Sequence, residues 1–232
     1  MKQLILLVLV CLITSCEKRE TQINHDKTEI KELKKDSSKI EIADLPVHID
    51  STDYLIHPIG NVEEYGRRFS SYGSERGYTS FSVANHNGYT INGTLSNLIF
   101  QHVNELKTTA LTDEIIEISS VTYLEKLRKQ TGKNYLIYKI RDTDTNNDSK
   151  LNYSDVLSLY ISKIDGSEFK KLTPDMSQII DWDYLEVNNT LYFRYISDTN
   201  KNGVFDKSDV ISYKFVDFSK PNLKITSYNP IK

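Results

Sequence analysis

The chain is short of cysteine. Only Cys11 and Cys16 occur in 232 residues, both within the first sixteen positions, so the rest of the protein has no disulfide to draw on. Excess positive charge is missing too. A net charge of −3, a pI of about 6.0 and the lack of a dense basic stripe give no bulk attraction to nucleic acid. The longest apolar run, LILLVLVCLIT, has about eleven residues, short of the ~20 that a spanning helix needs. Catalytic patterns are also lacking. His25, His48, His57, His86 and His102 show neither metal-pair spacing nor an Asp-His-nucleophile order. His102 lies in a strand-like run and reads as structural. Gly88–Gly93 lacks the Lys-Ser/Thr of a phosphate loop. A protein that is not an enzyme is the expectation.

What is present points to strands. Tyr occurs 15 times against one Trp and 8 Phe, and Tyr with β-branched residues suits half-buried pleated surfaces. A content of 38% hydrophobic and 26% charged residues fits one globular domain with appendages.

Two twelve-residue stretches, 144–155 (DTNNDSKLNYSD) and 198–209 (DTNKNGVFDKSD), align without gaps. Positions 1, 3 and 5 are Asp144, Asn146 and Asp148 in one, and Asp198, Asn200 and Asn202 in the other. Position 9 is Asn152 or Asp206, and position 12 is Asp155 or Asp209. Alternating side-chain oxygens on a short loop suit a hard cation, which takes six or more oxygens at about 2.3–2.6 Å. An apolar position 8 (Leu151, Phe205) can pin each loop to a core. Asp142 is an alternative start for the first loop, but only Asp144 brings Leu151 to position 8. The pattern resembles the EF-hand calcium loop, with the position-12 Asp of the dockerin variant. That resemblance implies two Ca²⁺ ions and adds the position-7 backbone carbonyls of Lys150 and Val204 to the ligand set. The second loop has Gly203 at position 6, where the turn favours positive φ; the first has Ser149.

The flanks of each loop read as strands: Asn134–Ile140 and Asp155–Ile161 around the first, Asn189–Ile196 and Asp209–Phe215 around the second. Helices flank the loop in EF-hands and dockerins, so neither cohesin binding nor a calmodulin-like sensor role carries over. The loops start 54 residues apart (198 − 144), and removing twelve leaves 42, close to the roughly 40–45 residues of a propeller blade. Ser158–Thr173, with its Asp-Gly-Ser turn and closing Leu-Thr, resembles the repeat of TolB-type β-propellers, and Trp182 stands where the next blade opens. The Ser-Pro-Asp-Gly that follows that Trp is absent here. Asp198–Asp206 approximates the calcium hairpins of integrin α-chain propellers. A third, divergent unit is expected over Asn97–Thr112, preceded by a hairpin of Phe81–Ala84 with Tyr89–Asn92. Residues 114–130 are expected to form a strand, then a turn or short helix to Gly132. The expected fold is mainly β, with propeller-like repeats of antiparallel strands, incomplete or open, carrying the calcium hairpins. Three units cannot close a propeller, which leaves an open stack, a compact β fold or half of an assembly.

The first residues read as an address. Met1-Lys2-Gln3 and the apolar run have the form of a signal peptide, and Leu12-Ile13-Thr14-Ser15-Cys16 resembles the bacterial lipobox. The resemblance implies residues 1–15 as a lipoprotein signal peptide, acylated Cys16 as the lipid anchor, and an outer-membrane location. Two or more acyl chains suffice for stable anchoring. Residues 16–50 read as a flexible tether and 51–232 as the β-repeat domain. Two readings of function stay open: a calcium-stabilised structural or ligand-binding module at the envelope, with a protein or glycan partner, or a glycan-binding or hydrolytic accessory enzyme in which calcium orders a substrate-facing loop.

Overall fold

The computed structural model describes residues 21–25, 33, 39–63 and 82–231. The signal peptide, Cys16 and Phe81 of the expected hairpin lie outside them. Among the described residues no helix is long and apolar enough to cross a membrane.

The protein is mainly β, with two antiparallel sheets, neither closed among the described residues. The first is ordered β1 (Lys39–Ala43), β3 (Tyr54–Glu63), β5 (Thr90–His102), β7 (Glu117–Tyr123), β8 (Tyr135–Arg141), β9 (Ser158–Lys163), β10 (Lys170–Lys171). The short β2 (Val47–His48) pairs with β3, and β4 (Ala84–Asn87) and β6 (Thr108–Ala110) pair with β5. The second sheet runs in chain order: β11 (Ser177–Leu185), β12 (Thr190–Ser197), β13 (Val210–Asp217), β14 (Ile225–Tyr228).

β7 to β10 and β11 to β14 are thus two successive four-strand meanders, and each twelve-residue stretch joins the second strand to the third. The strands expected around both stretches are present. The 114–130 region forms β7 and then helix α1 (Glu125–Thr131), closed by Gly132 at φ 73°. Residues 97–112 contribute the end of β5 and all of β6, and the hairpin expected before them differs. β4 and β5 turn at Gly88-Tyr89, pairing Asn87 with Thr90. Gly88, at φ 57°, takes the left-handed turn position, which glycine adopts most readily.

Alternation along β8 explains how the sheets stack. Leu136, Tyr138 and Ile140 point into a core with Ile56, Leu98, Phe100 and Ile118, within the first sheet's strands. Ile137, between them, points the other way, with Leu159 and Ile161 of β9 and Leu127 of α1, onto Leu191, Phe193, Tyr195 and Val216 of the second sheet. A strand buried on both faces reads as continuous apolar sequence, and YLIYKI does apart from Lys139, which is only half-buried. Phe218, fully buried just past β13, fills the same second core and meets the rings of Tyr135 and Tyr184 at 5.3 and 6.1 Å.

The expected tether is corrected over residues 39–48 and 22–25. Residues 39–48 hold β1 and β2, and β1 pairs in register with β3, Ile42 opposite Gly60. The alternation in KIEIA is genuine but short, and it lies among charged residues that conceal it. The second part, residues 22–25, reaches the twelve-residue loops.

Candidate metal centre

Both loops are built by the same hydrogen bonds. The position-1 carboxylate accepts the N–H groups of positions 5 and 6: Asp144 from Asp148 (3.0 Å) and Ser149 (2.6 Å), Asp198 from Asn202 (3.2 Å) and Gly203 (2.8 Å). The position-3 amide oxygen accepts the position-5 N–H, in Asn146 at 3.0 Å and in Asn200 at 2.8 Å. The position-5 side chain accepts the position-7 N–H, Asp148 from Lys150 and Asn202 from Val204. The position-12 carboxylate spans the loop, accepting the N–H groups of positions 2 and 9. Asp155 bonds Thr145 (2.8 Å) and Asn152 (2.9 Å), and Asp209 bonds Thr199 and Asp206 (both 2.9 Å).

The backbone agrees. Positions 4 and 6 are left-handed in both loops: Asn147 at φ 62° and Ser149 at 69°, Lys201 at 59° and Gly203 at 85°. Ser149 therefore takes up the turn that Gly203 makes, and carries the steric cost of a Cβ there.

Each loop also brings its oxygen-bearing side chains together. The amides of Asn146 and Asn152 both lie 3.4 Å from Asp148 Oδ2, so positions 3, 5 and 9 meet at one point of the first loop. In the second, the Asn202 amide lies 3.1 Å from Asp206 Oδ2. At positions 1, 3, 5, 9 and 12 each loop carries three carboxylates and two carboxamides, a hard-oxygen donor set of the kind that fits Ca²⁺. Among the described residues no three side chains of His, Cys, Asp and Glu alone gather as an ion site. These loops draw on asparagine as well.

The two loops differ in burial. The Asp155 side chain is buried, and that burial pushes its carboxyl up despite the N–H bonds from Asn152 and Thr145. Asp209, its counterpart, is half-exposed. Burial also pushes on Asp198, but the His25 ring at 2.7 Å and the N–H groups of Gly203 and Lys201 outweigh it and hold the carboxyl below the usual range. Asp206 is held low by the Ser208 N–H and the Asn202 amide.

No family model, curated protein or solved structure matches the chain.

Sequence reasoning missed the segment that crosses both loops. The Gln22 N–H donates to the Ser154 carbonyl (3.0 Å), Ile23 to Gly203 (2.9 Å) and Asn24 to Thr145 (2.6 Å). The Thr145 hydroxyl lies 2.9 Å from the Gln22 carbonyl, and Gln22 forms an antiparallel bridge with Val204. Ile23 is buried. One apolar residue in a polar stretch is too little signal to find such a segment, because most of its bonds are made by backbone.

The aromatic surplus is spent on sheets. Tyr192, Phe215, Tyr213 and Tyr228 line the outer face of the second sheet with ring centroids 5.5–6.0 Å apart. His102 packs edge-on against Tyr54.

Proposed function

We propose that this is a lipid-anchored calcium-binding β-protein of the bacterial envelope with a structural or partner-binding role. One observation carries the calcium part: two loops 54 residues apart share their hydrogen bonds and both left-handed positions. Ligands are assigned to Asp144, Asn146, Asp148, the Lys150 carbonyl, Asn152 and Asp155, and to Asp198, Asn200, Asn202, the Val204 carbonyl, Asp206 and Asp209. When bound, Ca²⁺ supplies a positive charge that offsets repulsion among three carboxylates per loop. The chain's part is to hold those oxygens on a pre-folded hairpin. Ions bound only by the folded state stabilise by about 2.7 kcal/mol at a hundred times Kd.

Two successive four-strand meanders, facing each other across a shared core, support reading the units as propeller-like blades in an open stack. The anchor is assigned to Cys16, behind the signal peptide, in the outer membrane. A glycan-binding role is the second reading, favoured by the Tyr192–Tyr213–Phe215–Tyr228 face.

The test is calorimetric calcium titration with thermal melting in calcium and in chelator. Two sites and a melting shift, both lost in Asp144→Ala/Asp198→Ala, are expected. No heat at millimolar calcium overturns the reading.

A further inference from the structure

We infer that the seam between the two loops is a strand-binding site whose ligand is this chain's own residues 22–25, and that ions in the loops and this strap strengthen each other. The inference rests on the calcium reading above. Three consecutive N–H groups of the strap go to opposite loops in turn, Gln22 to the first, Ile23 to the second and Asn24 to the first. His25 then reaches the second loop at Asp198. An extended chain alternates its bonding directions in this way, so the strap fits only when the two loops stand at a fixed separation.

The acceptors belong to the ion-binding scaffold itself. Thr145 is position 2 of the first loop and is held by the position-12 carboxylate of Asp155. Its carbonyl accepts from Asn24 and its hydroxyl donates to the Gln22 carbonyl. Gly203, whose carbonyl accepts from Ile23, is position 6 of the second loop, and Val204, which pairs with Gln22 as a bridge, is position 7. Filling the loops fixes these acceptors in place, and a docked strap fixes the loops for the ions. Such coupling is reciprocal by thermodynamic necessity.

The seam also accounts for a difference between two otherwise matched loops. A Cβ at Gly203 would stand 2.7 Å from the Ile23 carbonyl oxygen. Position 6 tolerates Ser149 in the first loop, where these strap bonds do not fall, and is glycine in the second, where the strap crosses. For a chain anchored at Cys16, six residue steps separate the lipid from Gln22, a reach of at most about 20 Å. A docked strap would therefore hold both loops near the bilayer.

Hydrogen exchange on the detergent-solubilised full chain, in millimolar calcium and in chelator, tests this. Calcium is expected to slow exchange at Ile23 and Asn24 by about five-fold or more, the lower end of ordinary coupling. Ile23→Asp/Asn24→Pro should still titrate two calcium ions, each bound about five-fold or more weakly. Thr145→Val, a milder change that removes the hydroxyl donated to the Gln22 carbonyl, should weaken binding in the same direction. Equal exchange at residues 22–25 with and without calcium, in a chain that binds two ions, overturns the inference and leaves the calcium reading standing. Unchanged calcium affinity in both the strap variant and Thr145→Val does the same. A chain that takes up no calcium overturns both.

Discussion

Phe218→Ala tests whether the two sheets share one core. Phe218 lies outside any strand, yet it is fully buried and packs with residues from both sheets. Its backbone is fixed at both ends, the N–H on the Asn189 carbonyl and the carbonyl on the Lys133 ammonium. The ring therefore cannot be replaced by a simple shift of the chain, and truncation should leave a cavity. Phe→Ala in a core costs about 3–5 kcal/mol, and the Tyr135 and Tyr184 ring contacts place this site in the middle of that range, at about 4 kcal/mol. For a protein of this size each kcal/mol moves Tm by about 2–4 °C, so a fall of about 8–16 °C is expected by circular dichroism. Phe218→Leu, which keeps most of the volume, should lose about 1.5 kcal/mol or less. A single transition is expected in all three proteins, because Leu127, Ile137 and Leu159 of the first layer pack with Leu191 and Phe193 of the second. A loss under about 1 kcal/mol, or two separated transitions in the wild type, would refute the shared core.

Ser149→Gly should raise Tm in chelator by a few degrees by relieving φ 69°, a strain of about 1 kcal/mol, whereas a fall would mean that the serine side chain supports the turn. In chelator, Asp155→Ala should cost more than Asp209→Ala. It strands the N–H of buried Thr145, at about 1–3 kcal/mol, while water can replace Asp209 at exposed Thr199; equal losses would sink this argument. The hydrogen bonds from Arg194 hold the Asp181 carboxyl below its usual range. Its folded pKa being depressed, the stabilisation is present above the ordinary carboxylate value of about 3.9 and lost as pH falls through the folded value. The Tm gap between wild type and Arg194→Ala should be small, since the pair is about half exposed, and should close below about pH 4; a gap constant down to pH 2.5 would contradict the assignment.

The fold was legible where side chains carry the pattern. YLIYKI, SLYISK and TLYFRYI announce β8, β9 and β12 by their β-branched and aromatic content, and Gly132 marks the end of α1. The two loops were legible because Asp and Asn side chains that accept backbone N–H groups favour such turns, here at the same positions twice. Where backbone makes the bonds, the sequence was mute. β5 bends between Asn92 and Leu95, so one strand pairs with β4 and β7 at its start and with β3 and β6 further on. The bend falls at Gly93, where a Cβ would meet the Val83 carbonyl at 2.3 Å. That close approach depends on a partner distant in the chain, which local pattern does not reveal. Ile23 has the same difficulty: its value lies in a seam made by residues more than a hundred positions away.

Open sheets carry a hazard that closed ones avoid, because every outermost strand offers unpaired N–H and C=O groups to any neighbouring chain. Among the described residues, the strands that end the two sheet paths blunt that offer in different ways. β10 is two residues long and both are lysine. β14 is only four residues long. β1 places Lys39 and Glu41 among its residues. β11 breaks register between Ile179 and Asp181 and carries Asp181 and Asp183. A molecule guarded in this way can stay dispersed at high local concentration without closing its described sheets into a ring.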